Sequence, residues 1–370
     1  MKKILLLIIA LPTLLGAQEK VYLSDLYAEQ GLNKNKVELW EDGYRTKGQK
    51  DTYEWWYFDF VADDGTTIVI SILTKDIENP KTKLKPKIII DITERDGDKH
   101  NLSFDIPRDD FYASRDSCFI AAGNSTITGD LKKYKIDINT EEVKIKMTLV
   151  NQSVSWRPKT GYMIFDEDKY FAWVVPVPRG KATGYFEING YDYQFDGHGY
   201  HDHNWGNYRL PSLLHHWYWS RTQFGNYTVL ASEIVTEKQY DYKTFTLFAV
   251  FDSNKVVLYS DQDSSEFYQS VPVKYPPGKP ISKNLLFRSN DGQKIYELSL
   301  KTEDILVSAD LVKSNIKNPA AATAIKVITG FDGAYYRFGG KASLEIFDKN
   351  GKYRKLKTDN AVWELMYFGD

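Results

Sequence analysis

Cysteine is nearly absent from this sequence of 370 residues, in which Cys118 is the only one. A single cysteine excludes an intramolecular disulfide, so the fold must be stabilised by the burial of apolar side chains. We interpret this thiol as a buried residue of a strand rather than as a nucleophile, because the residues that follow it are apolar.

A surplus of one charge sign is also missing. The sequence contains 48 Lys and Arg residues against 50 Asp and Glu residues, which gives a formal net charge of -2. A chain without a basic surplus has no electrostatic reason to bind nucleic acid or acidic lipid. We therefore expect neither of them as a partner.

Long hydrophobic runs are confined to the amino terminus. Lys2 and Lys3 precede an apolar run over residues 4–15, which ends just before Ala17. The run is shorter than the roughly 20 residues that a membrane-spanning helix needs, and the whole pattern is typical of a secretory signal peptide. We predict a signal peptide over residues 1–17, export to the periplasm or the cell exterior, and no stable membrane insertion of the mature chain.

Helical periodicity is weak, whereas alternation of apolar and polar residues recurs along the chain, as at Ile68, Ile70 and Ile72. Aromatic residues make up 15% of the sequence, and they favour strands. Asn189-Gly190 separates two alternating runs and is a strong hairpin signal. These features predict an all-β fold of antiparallel strands.

The chain that follows the predicted signal peptide is too long for one small barrel, because about eight strands already enclose a filled interior. We predict two barrel-like domains, over residues 18–200 and 201–370. The boundary is expected within residues 197–211, after the hairpin and before the next aromatic strand.

Histidines are few but clustered, since five of the six lie between residues 198 and 216. They belong to two segments, 197–207 and 215–221, which we interpret as strands. Side chains alternate along an extended chain, so His201 and His203 share one face.

Tryptophans accompany these histidines. Trp205 shares the face of the histidines in the first segment, while Asp202 points to the opposite face. In the second segment, Trp217, Trp219 and Arg221 lie on one face. The sequence therefore predicts a site that combines imidazole and indole side chains.

A carboxylate among aromatic residues is a further candidate. In the segment 53–60, Glu54 shares a face with Trp56 and Phe58. Burial disfavours the charged form of a carboxyl group, so Glu54 would stay protonated near neutral pH and act as an acid. The alternative is a hydrogen-bonded structural carboxylate, held by a cation such as Arg221.

Other chemistries have weaker support. The clustered histidines could supply the nitrogens of a zinc site, but no His-Glu-x-x-His or Cys-x-x-Cys spacing is present, and we predict no metal and no cofactor. No Gly-x-Ser-x-Gly motif for a serine nucleophile occurs. A glycosidase needs two carboxylates across a cleft, and Glu54, Asp202 and Glu233 cannot be spaced from sequence, so that alternative stays open.

Three motifs together resemble a known family. They are Glu54-Trp55-Trp56-Tyr57-Phe58-Asp59, Gly199-Tyr200-His201-Asp202-His203-Asn204-Trp205-Gly206 and Trp217-Tyr218-Trp219-Ser220-Arg221. In this order they are similar to the carotenoid hydratases, also called hydroxyneurosporene synthases, which belong with the AttH-type lipocalin-like proteins. The resemblance covers residues 37–370 and implies two tandem lipocalin-like β-barrels with an apolar pocket near their junction.

The resemblance also implies a chemistry, in which an acid protonates an isoprenoid alkene and water adds to the resulting cation. The family's working groups match His203, Trp205 and Glu233 here. Our candidate catalytic residues are Glu54, His203, Glu233 and Asp202. Our candidate substrate-binding residues are Trp56, Tyr57, His201, Trp205, Trp217, Trp219 and Arg221.

Three functions follow as hypotheses. The first is an exported hydratase, cyclase or isomerase that acts on a small apolar, isoprenoid or lipid-like molecule. The second is an exported carrier that binds an apolar ligand without changing it, as lipocalin-type folds often do. The third, a secreted carbohydrate-active protein, rests only on the aromatic content and the predicted export.

Overall fold

The computed structural model describes residues 20–261, 264–312 and 331–369. The predicted signal peptide over residues 1–17 lies outside the described residues. Short 3-10 helices interrupt the strands at Leu39–Asp42, Arg108–Asp110, Leu210–Ser212 and Lys238–Tyr240. No helix within the described ranges has the length and apolar character that crossing a membrane requires.

Thirteen strands form the first sheet. They are β1 (Val21–Leu23), β2 (Tyr53–Ala62), β3 (Thr67–Leu73), β4 (Lys87–Thr93), β5 (Lys99–Asp105), β6 (Phe111–Ala113), β7 (Cys118–Ala122), β8 (Ser125–Gly129), β9 (Lys133–Asn139), β10 (Val143–Asn151), β11 (Tyr162–Phe165), β12 (Lys169–Ile188) and β13 (Tyr191–Gly206). Hydrogen bonds join them in the order β5-β4-β3-β2-β13-β12-β10-β9-β8-β7-β6, and β11 pairs with both β1 and β12.

Nine strands form the second sheet, and two more pair separately. The strands that follow β13 are β14 (Leu214–Phe224), β15 (Tyr227–Thr236), β16 (Thr244–Asp252), β17 (Lys255–Ser260), β18 (Ser265–Gln269), β19 (Val273–Tyr275), β20 (Lys279–Ile281), β21 (Asn284–Asn290), β22 (Lys294–Asp310), β23 (Ala334–Asp348) and β24 (Tyr353–Tyr367). The order in the sheet is β17-β16-β15-β14-β24-β23-β22-β21-β18, and β19 pairs only with β20.

The long hairpin of β12 and β13 turns at Asn189-Gly190, as the sequence predicts. Asn189 has a φ of 53° and Gly190 a φ of 78°. Positive φ angles at both central residues match the right-handed twist of the flanking strands, and asparagine and glycine adopt them with the least strain. Ile188 and Tyr191 therefore face each other across the turn.

Strand β12 is bent by two irregularities in its pairing with β13. The register shifts between Val174 and Val177 and again between Val177 and Gly180. Pro176 and Pro178 lie in this stretch, and proline cannot donate a ladder hydrogen bond, so it fits where the pairing is interrupted. The bend allows one long strand to take part in a strongly curved sheet.

The first sheet curls around one apolar core. Alternate residues of β2, such as Trp56, Phe58 and Phe60, pack in one cluster with Ile90 of β4 and Ile136 of β9. Because these strands are far apart in the sheet order, one face of the sheet must enclose the cluster. Side chains fill this interior, as in a small barrel.

The second sheet encloses a core of its own, with Phe248, Leu298 and Trp363 among its fully buried side chains. A further apolar cluster lies between the two sheets and joins residues of both, including Phe171 of β12 and Leu247 of β16. All-β architecture with two curled antiparallel sheets is therefore confirmed.

The change from one sheet to the other occurs between Gly206, which ends β13, and Leu214, which begins β14. Residues 207–211 of this stretch fall within the predicted boundary range of residues 197–211. The predicted limit after residue 200 instead falls inside β13, because that strand continues for six residues beyond it. The independence of the two units as domains stays a prediction.

Candidate functional site

A cavity of about 320 Å³ lies between the two sheets. It is bordered by the outward face of the first sheet, by residues of β14, β15, β23 and β24, and by two residues beyond regular strands. Its lining comprises Trp55, Tyr57, Val69, Ser71, Leu73, Ile77, Ile89, Asp91, Phe171, Trp173, Asp202, Asn204, Trp217, Trp219, Ser232, Ile234, Leu311, Tyr335, Glu364 and Met366. A mostly apolar lining with a few polar groups is typical of a small-molecule site.

Aromatic rings form much of the wall. Phe171 stacks against Trp55 with ring centroids 6.0 Å apart, and against Trp217 at 6.2 Å. Trp219 lies nearby, and its indole Nε1 is buried without a hydrogen-bond partner among the described residues. A buried donor without a partner is unusual in native proteins, and an acceptor on a bound molecule would satisfy it.

Asp202 of β13 presents a carboxyl group to this cavity. Its Oδ2 accepts hydrogen bonds from the Tyr200 hydroxyl at 2.8 Å and the Trp173 indole at 3.1 Å, while Oδ1 accepts one from the Asn204 amide at 2.7 Å. Burial raises the pKa of Asp202 to about 7, and these hydrogen bonds and the nearby His201 only partly oppose that rise. Both protonation states of the carboxyl group are therefore accessible near neutral pH.

The opposite wall contains a second carboxyl group, Glu364 of β24. Its Oε1 lies 3.2 Å from the Tyr57 hydroxyl, which donates to it, and 3.4 Å from a guanidinium nitrogen of Arg337. Burial raises the pKa of Glu364, and the charge of Arg337 offsets part of that effect. This carboxyl group is thus paired with a cation, unlike Asp202.

Asp59 of β2 links the two sheets behind this wall. It accepts hydrogen bonds from Arg221 at 2.9 Å and from Arg337 at 3.2 Å. Although burial alone would favour the neutral acid, the two guanidinium groups hold the pKa of Asp59 below its usual range. Arg221 therefore acts beneath the cavity as an ion-pair partner and does not line it.

Glu54 lies on the other face of β2, inside the first sheet. Its carboxylate accepts hydrogen bonds from the backbone N–H groups of Arg45 and Thr46 at 2.7 and 2.8 Å, and from the Thr46 hydroxyl at 2.8 Å. The Nε2 of His203 completes the set at 2.8 Å. Because neighbouring residues of a strand point to opposite faces, Trp55 reaches the cavity and Glu54 does not.

His201 also points into the interior of the first sheet. Its Nδ1 lies 2.9 Å from the backbone carbonyl of Tyr57, and its Nε2 lies 3.2 Å from both carboxylate oxygens of Asp42. The Tyr134 hydroxyl donates to Asp42 at 2.6 Å. Asp42, Cys118 and His201 offer donor atoms within 4.8 Å of one another and could hold a metal ion, but hydrogen bonds already join Asp42 to its neighbours.

Trp56 and Trp205, which the sequence predicts to bind substrate, also lie in the interior of the first sheet. Trp56 stacks on His203 with ring centroids 4.6 Å apart. Trp205 packs beside His203 and places its indole Nε1 3.3 Å from the hydroxyl of Tyr162. Neither ring borders the cavity between the sheets.

Glu233 of β15 likewise faces away from the cavity, since its neighbours Ser232 and Ile234 line the wall. It accepts a hydrogen bond from Thr246, and burial raises its pKa to about 7. A perturbed carboxyl group without access to a cavity has no substrate to protonate.

The structure thus brings together four of the eleven predicted site residues at the cavity, which are Tyr57, Asp202, Trp217 and Trp219. It places Glu54, His203 and Glu233 away from the cavity. The substrate-binding candidates Trp56, His201, Trp205 and Arg221 do not line the cavity either. Their proposed roles stay predictions without support from the cavity geometry.

Several lining residues were missed by sequence analysis. Trp55 follows directly from the alternation that placed Glu54 on the inner face of β2, because its side chain must then point outward. Glu364 is an acidic residue within the apolar stretch Ala361-Val362-Trp363-Glu364-Leu365-Met366, the same kind of signal that singled out Glu54. Trp173 gave no comparable signal.

Parts of this chain are similar in sequence to known proteins. Residues 122–274 match the family described as Diels-Alderase-like. The quinolone epoxide rearrangement protein asqO of Emericella nidulans is 24% identical over 204 residues, which cover 52% of this chain and 54% of that protein. The hydroxyneurosporene dehydrogenase of Chlorobaculum tepidum is 34% identical over 86 residues, covering 20% of this chain and 22% of that protein. The matches thus span about half or less of these relatives.

Comparison with solved structures covers nearly the whole chain. CghA in complex with Sch210972 matches with a TM-score of 0.62 at 12% identity, covering 95% of this chain and 98% of that one. An AttH-type protein of Nitrosomonas europaea gives 0.61 at 9% identity, covering 91% and 98%. Kievitone hydratase of Nectria haematococca gives 0.54 at 13% identity, covering 90% and 94%. At these identities the likeness shows the fold.

The two tandem lipocalin-like sheets and the match over residues 122–274 agree with the resemblance found from the three motifs. The chain therefore has the lipocalin-like fold of the AttH-type proteins, and its residues 122–274 are similar to the Diels-Alderase-like family.

Proposed function

We propose that this protein is an enzyme that binds a small apolar molecule between its two sheets and rearranges it by proton transfer to and from Asp202. The observation that carries the proposal is the Asp202 carboxyl group in a cavity lined by four tryptophans. Its pKa of about 7 suits a group that must both give and accept a proton at neutral pH.

Such a reaction neither consumes nor releases a proton overall. Asp202 gives its proton to an alkene carbon or an epoxide oxygen of the substrate and becomes a carboxylate. The three hydrogen bonds from Tyr200, Trp173 and Asn204 stabilise that carboxylate. A neighbouring carbon of the substrate cation then returns a proton to Asp202, so isomerisation or cyclisation consumes no further reactant.

The aromatic wall suits the cationic intermediate. Trp55, Trp173, Trp217 and Trp219 all line the cavity, and an indole face stabilises a desolvated cation by about 0.5 to 2 kcal/mol. An apolar wall also limits access of water, which would otherwise trap the cation. The unpartnered Nε1 of Trp219 offers a hydrogen bond to an oxygen of the substrate.

The relatives support this class of reaction. One is named for an epoxide rearrangement and another for a hydratase, and the matching family is described as Diels-Alderase-like. Proton donation to an epoxide or an alkene is common to the first two chemistries. Hydration of a carotenoid, which the resemblance implies, is the alternative reaction, in which a water molecule adds to the cation instead of the cation losing a proton.

Deuterium incorporation tests the proposal. The enzyme is incubated in D₂O with a panel of apolar alkenes and epoxides that includes an acyclic carotenoid, and the products are analysed by mass spectrometry. We expect a rearranged product that carries deuterium on carbon from the alkenes and a rearranged product from the epoxides, and neither with Asp202→Asn. Asp192→Asn, at an exposed position of the same strand, is the matched control and should keep the activity.

Two outcomes would contradict an enzymatic role for Asp202. Equal turnover by Asp202→Asn and the unmodified protein would remove the carboxyl group from the mechanism. Tight binding of a panel compound that is always recovered unchanged and undeuterated would instead support the carrier function. Labelling with H₂¹⁸O separates hydration, which adds the label to the product, from isomerisation, which does not.

We also propose that the protein acts after export. The lysine pair and the apolar run over residues 4–15 support a cleaved signal peptide. The mass of the protein purified from the periplasm or the culture medium tests this directly. A mass that corresponds to loss of residues 1–17 is expected, and an uncleaved protein confined to the cytoplasm would contradict it.

A further inference from the structure

A second hollow of about 240 Å³ adjoins the cavity between the sheets. The two share Val69, Asp91 and Tyr335 in their walls. The hollow lies over the outward faces of β3, β4 and β5 and is closed on its other side by residues 306–308 of β22. A molecule longer than the cavity could therefore extend into it without leaving the space between the sheets.

The strands beneath the two spaces change from apolar to polar along their length. Leu73 of β3 and Ile89 of β4 line the cavity, whereas Thr67 and Thr93 of the same strands line the hollow. Alternate residues of a strand share a face, so these side chains form two continuous rows. At about 3.3 Å per residue, the row on β3 spans about 20 Å.

The far end of this path is positively charged. Lys99 of β5 lines the hollow, and its Nζ donates a hydrogen bond to the backbone carbonyl of Leu306. No carboxylate forms an ion pair with Lys99 in the part of the chain that the structure describes. The guanidinium group of Arg337 also borders the hollow, although it already contacts Asp59 and Glu364.

One acidic side chain, Asp91, borders the hollow. Asp91 accepts a hydrogen bond from Asn101 at 2.5 Å. Burial raises the pKa of Asp91, which favours its neutral form. The wall of the hollow therefore contains an ammonium group, a guanidinium group, an amide and four hydroxyl groups beside this carboxyl group.

We propose that the substrate is an elongated amphiphile with an anionic end, such as a carboxylate, whose end group lies at Lys99. Its apolar, unsaturated part extends into the cavity, where the tryptophans surround the reacting atoms beside Asp202. This inference rests on the proposed function, because it assigns a substrate class to the same cavity. The polar end sets the position of the substrate along the path.

Two fluorescent probes of equal chain length test the inference. Parinaric acid is a conjugated polyene carboxylate, and its methyl ester lacks the charge. Binding of each is followed through energy transfer from the tryptophans that line the cavity. We expect the acid to bind about fivefold more tightly than the ester, as suits an exposed ion pair, and the preference to shrink at high salt.

Variants of the lysine separate its charge from its packing. Lys99→Met should remove the preference for the acid while the ester binds as before, and Lys99→Arg should restore it. Lys133→Met, on the exposed face of β9, is the matched control and should leave both affinities unchanged.

The outcomes distinguish the two proposals. Equal binding of acid and ester, or an acid preference that survives Lys99→Met, would overturn the amphiphile inference and leave the enzymatic proposal intact. Absence of energy transfer with both probes would contradict the assignment of the cavity itself. Turnover that depends on Asp202 but is indifferent to the end group of the substrate would again overturn only the inference.

Discussion

The two faces of the paired strands β2 and β13 each carry a buried carboxyl group, and the surroundings of the two groups differ. The inner face holds Glu54 with four hydrogen bonds and His203 stacked on Trp56. The outer face holds Asp202, whose three hydrogen bonds come from groups around the cavity and which has no cation paired with it in the described chain.

The comparison shows what separates a structural carboxylate from a reactive one. Both carboxyl groups are buried, so burial alone does not identify the acid. The Glu54 carboxylate accepts hydrogen bonds from two backbone N–H groups, which hold it in place. Asp202 borders open space and therefore can exchange a proton with a bound molecule.

The largest effect that the comparison predicts is on the activity of Asp202→Asn. We expect turnover to fall by about 10²- to 10⁴-fold, the range for loss of a general acid. Unfolding in urea should shift by only about 1 kcal/mol, because the amide has the same shape and its oxygen still accepts from Tyr200 and Trp173, while the Asn204 amide can rotate to accept from the new NH₂ group. Loss of activity together with a loss of stability of several kcal/mol would place Asp202 among the structural groups.

Glu54→Ala should show the reverse pattern. Removal of its carboxylate leaves the backbone N–H groups of Arg45 and Thr46 without hydrogen-bond acceptors, and it removes the partner of His203 Nε2. We therefore expect the unfolding free energy to fall by about 3 kcal/mol or more. Equilibrium unfolding in urea measures this loss, and the control is Glu187→Ala, at a half-exposed position of β12 where the carboxylate pairs with Lys144 at the surface.

Activity of the residual folded Glu54→Ala protein decides between the two roles. Turnover per folded molecule should stay within about tenfold of the unmodified protein, since Glu54 does not border the cavity. A stable but inactive Glu54→Ala protein would restore Glu54 as the acid and break the comparison.

Strands β2 and β13 also show how much of the structure can be predicted from the sequence. Alternation placed Glu54, Trp56 and Phe58 on one face of β2 and His201 and His203 on one face of β13, and the structure has them so. The Asn189-Gly190 hairpin was also evident. These features depend on neighbours in the chain, which a period-two pattern encodes.

The position of the cavity depends instead on contacts between distant segments. The Tyr57 hydroxyl meets Glu364 across 307 positions, and Asp59 meets Arg337 across 278. A sequence pattern shows which faces a strand has but not which face meets the second sheet. For that reason the sequence predicts a site that includes the interior face, rich in histidine and tryptophan, whereas the cavity borders the opposite face.

Glu233 is a third buried carboxyl group, and its effect is expected in the pH dependence of the unfolding free energy. Its pKa is raised to about 7 from an ordinary value near 4.5, so the folded protein holds a proton that the unfolded chain has released between these values. Stability from this group is therefore complete below about pH 4.5 and is lost as pH rises toward 7, by up to about 3 kcal/mol.

Glu233→Gln should flatten that part of the dependence of unfolding free energy on pH. The decline contributed by Asp202 would remain, because its pKa is raised to about 7 by burial as well. The pH dependence of turnover should not change in Glu233→Gln, since Glu233 faces away from the cavity. A shifted activity profile would show that Glu233 is coupled to the reaction.

The smallest predicted effect concerns Trp219 at the cavity. Trp219→Phe keeps an aromatic face but removes the buried Nε1 that has no partner in the described chain. If a substrate oxygen accepts from this group, turnover should fall by about three- to tenfold, the value of one hydrogen bond, with little change in stability.

The control is Trp205→Phe, which removes an indole N–H on the interior face. Tyr162 already accepts a hydrogen bond from that N–H, so its loss should lower stability and leave turnover per folded molecule unchanged. An oxygen-free substrate turned over equally by Trp219→Phe and the unmodified protein would confirm that the indole acts on the substrate oxygen, whereas an equal loss with both kinds of substrate would assign Trp219 a packing role.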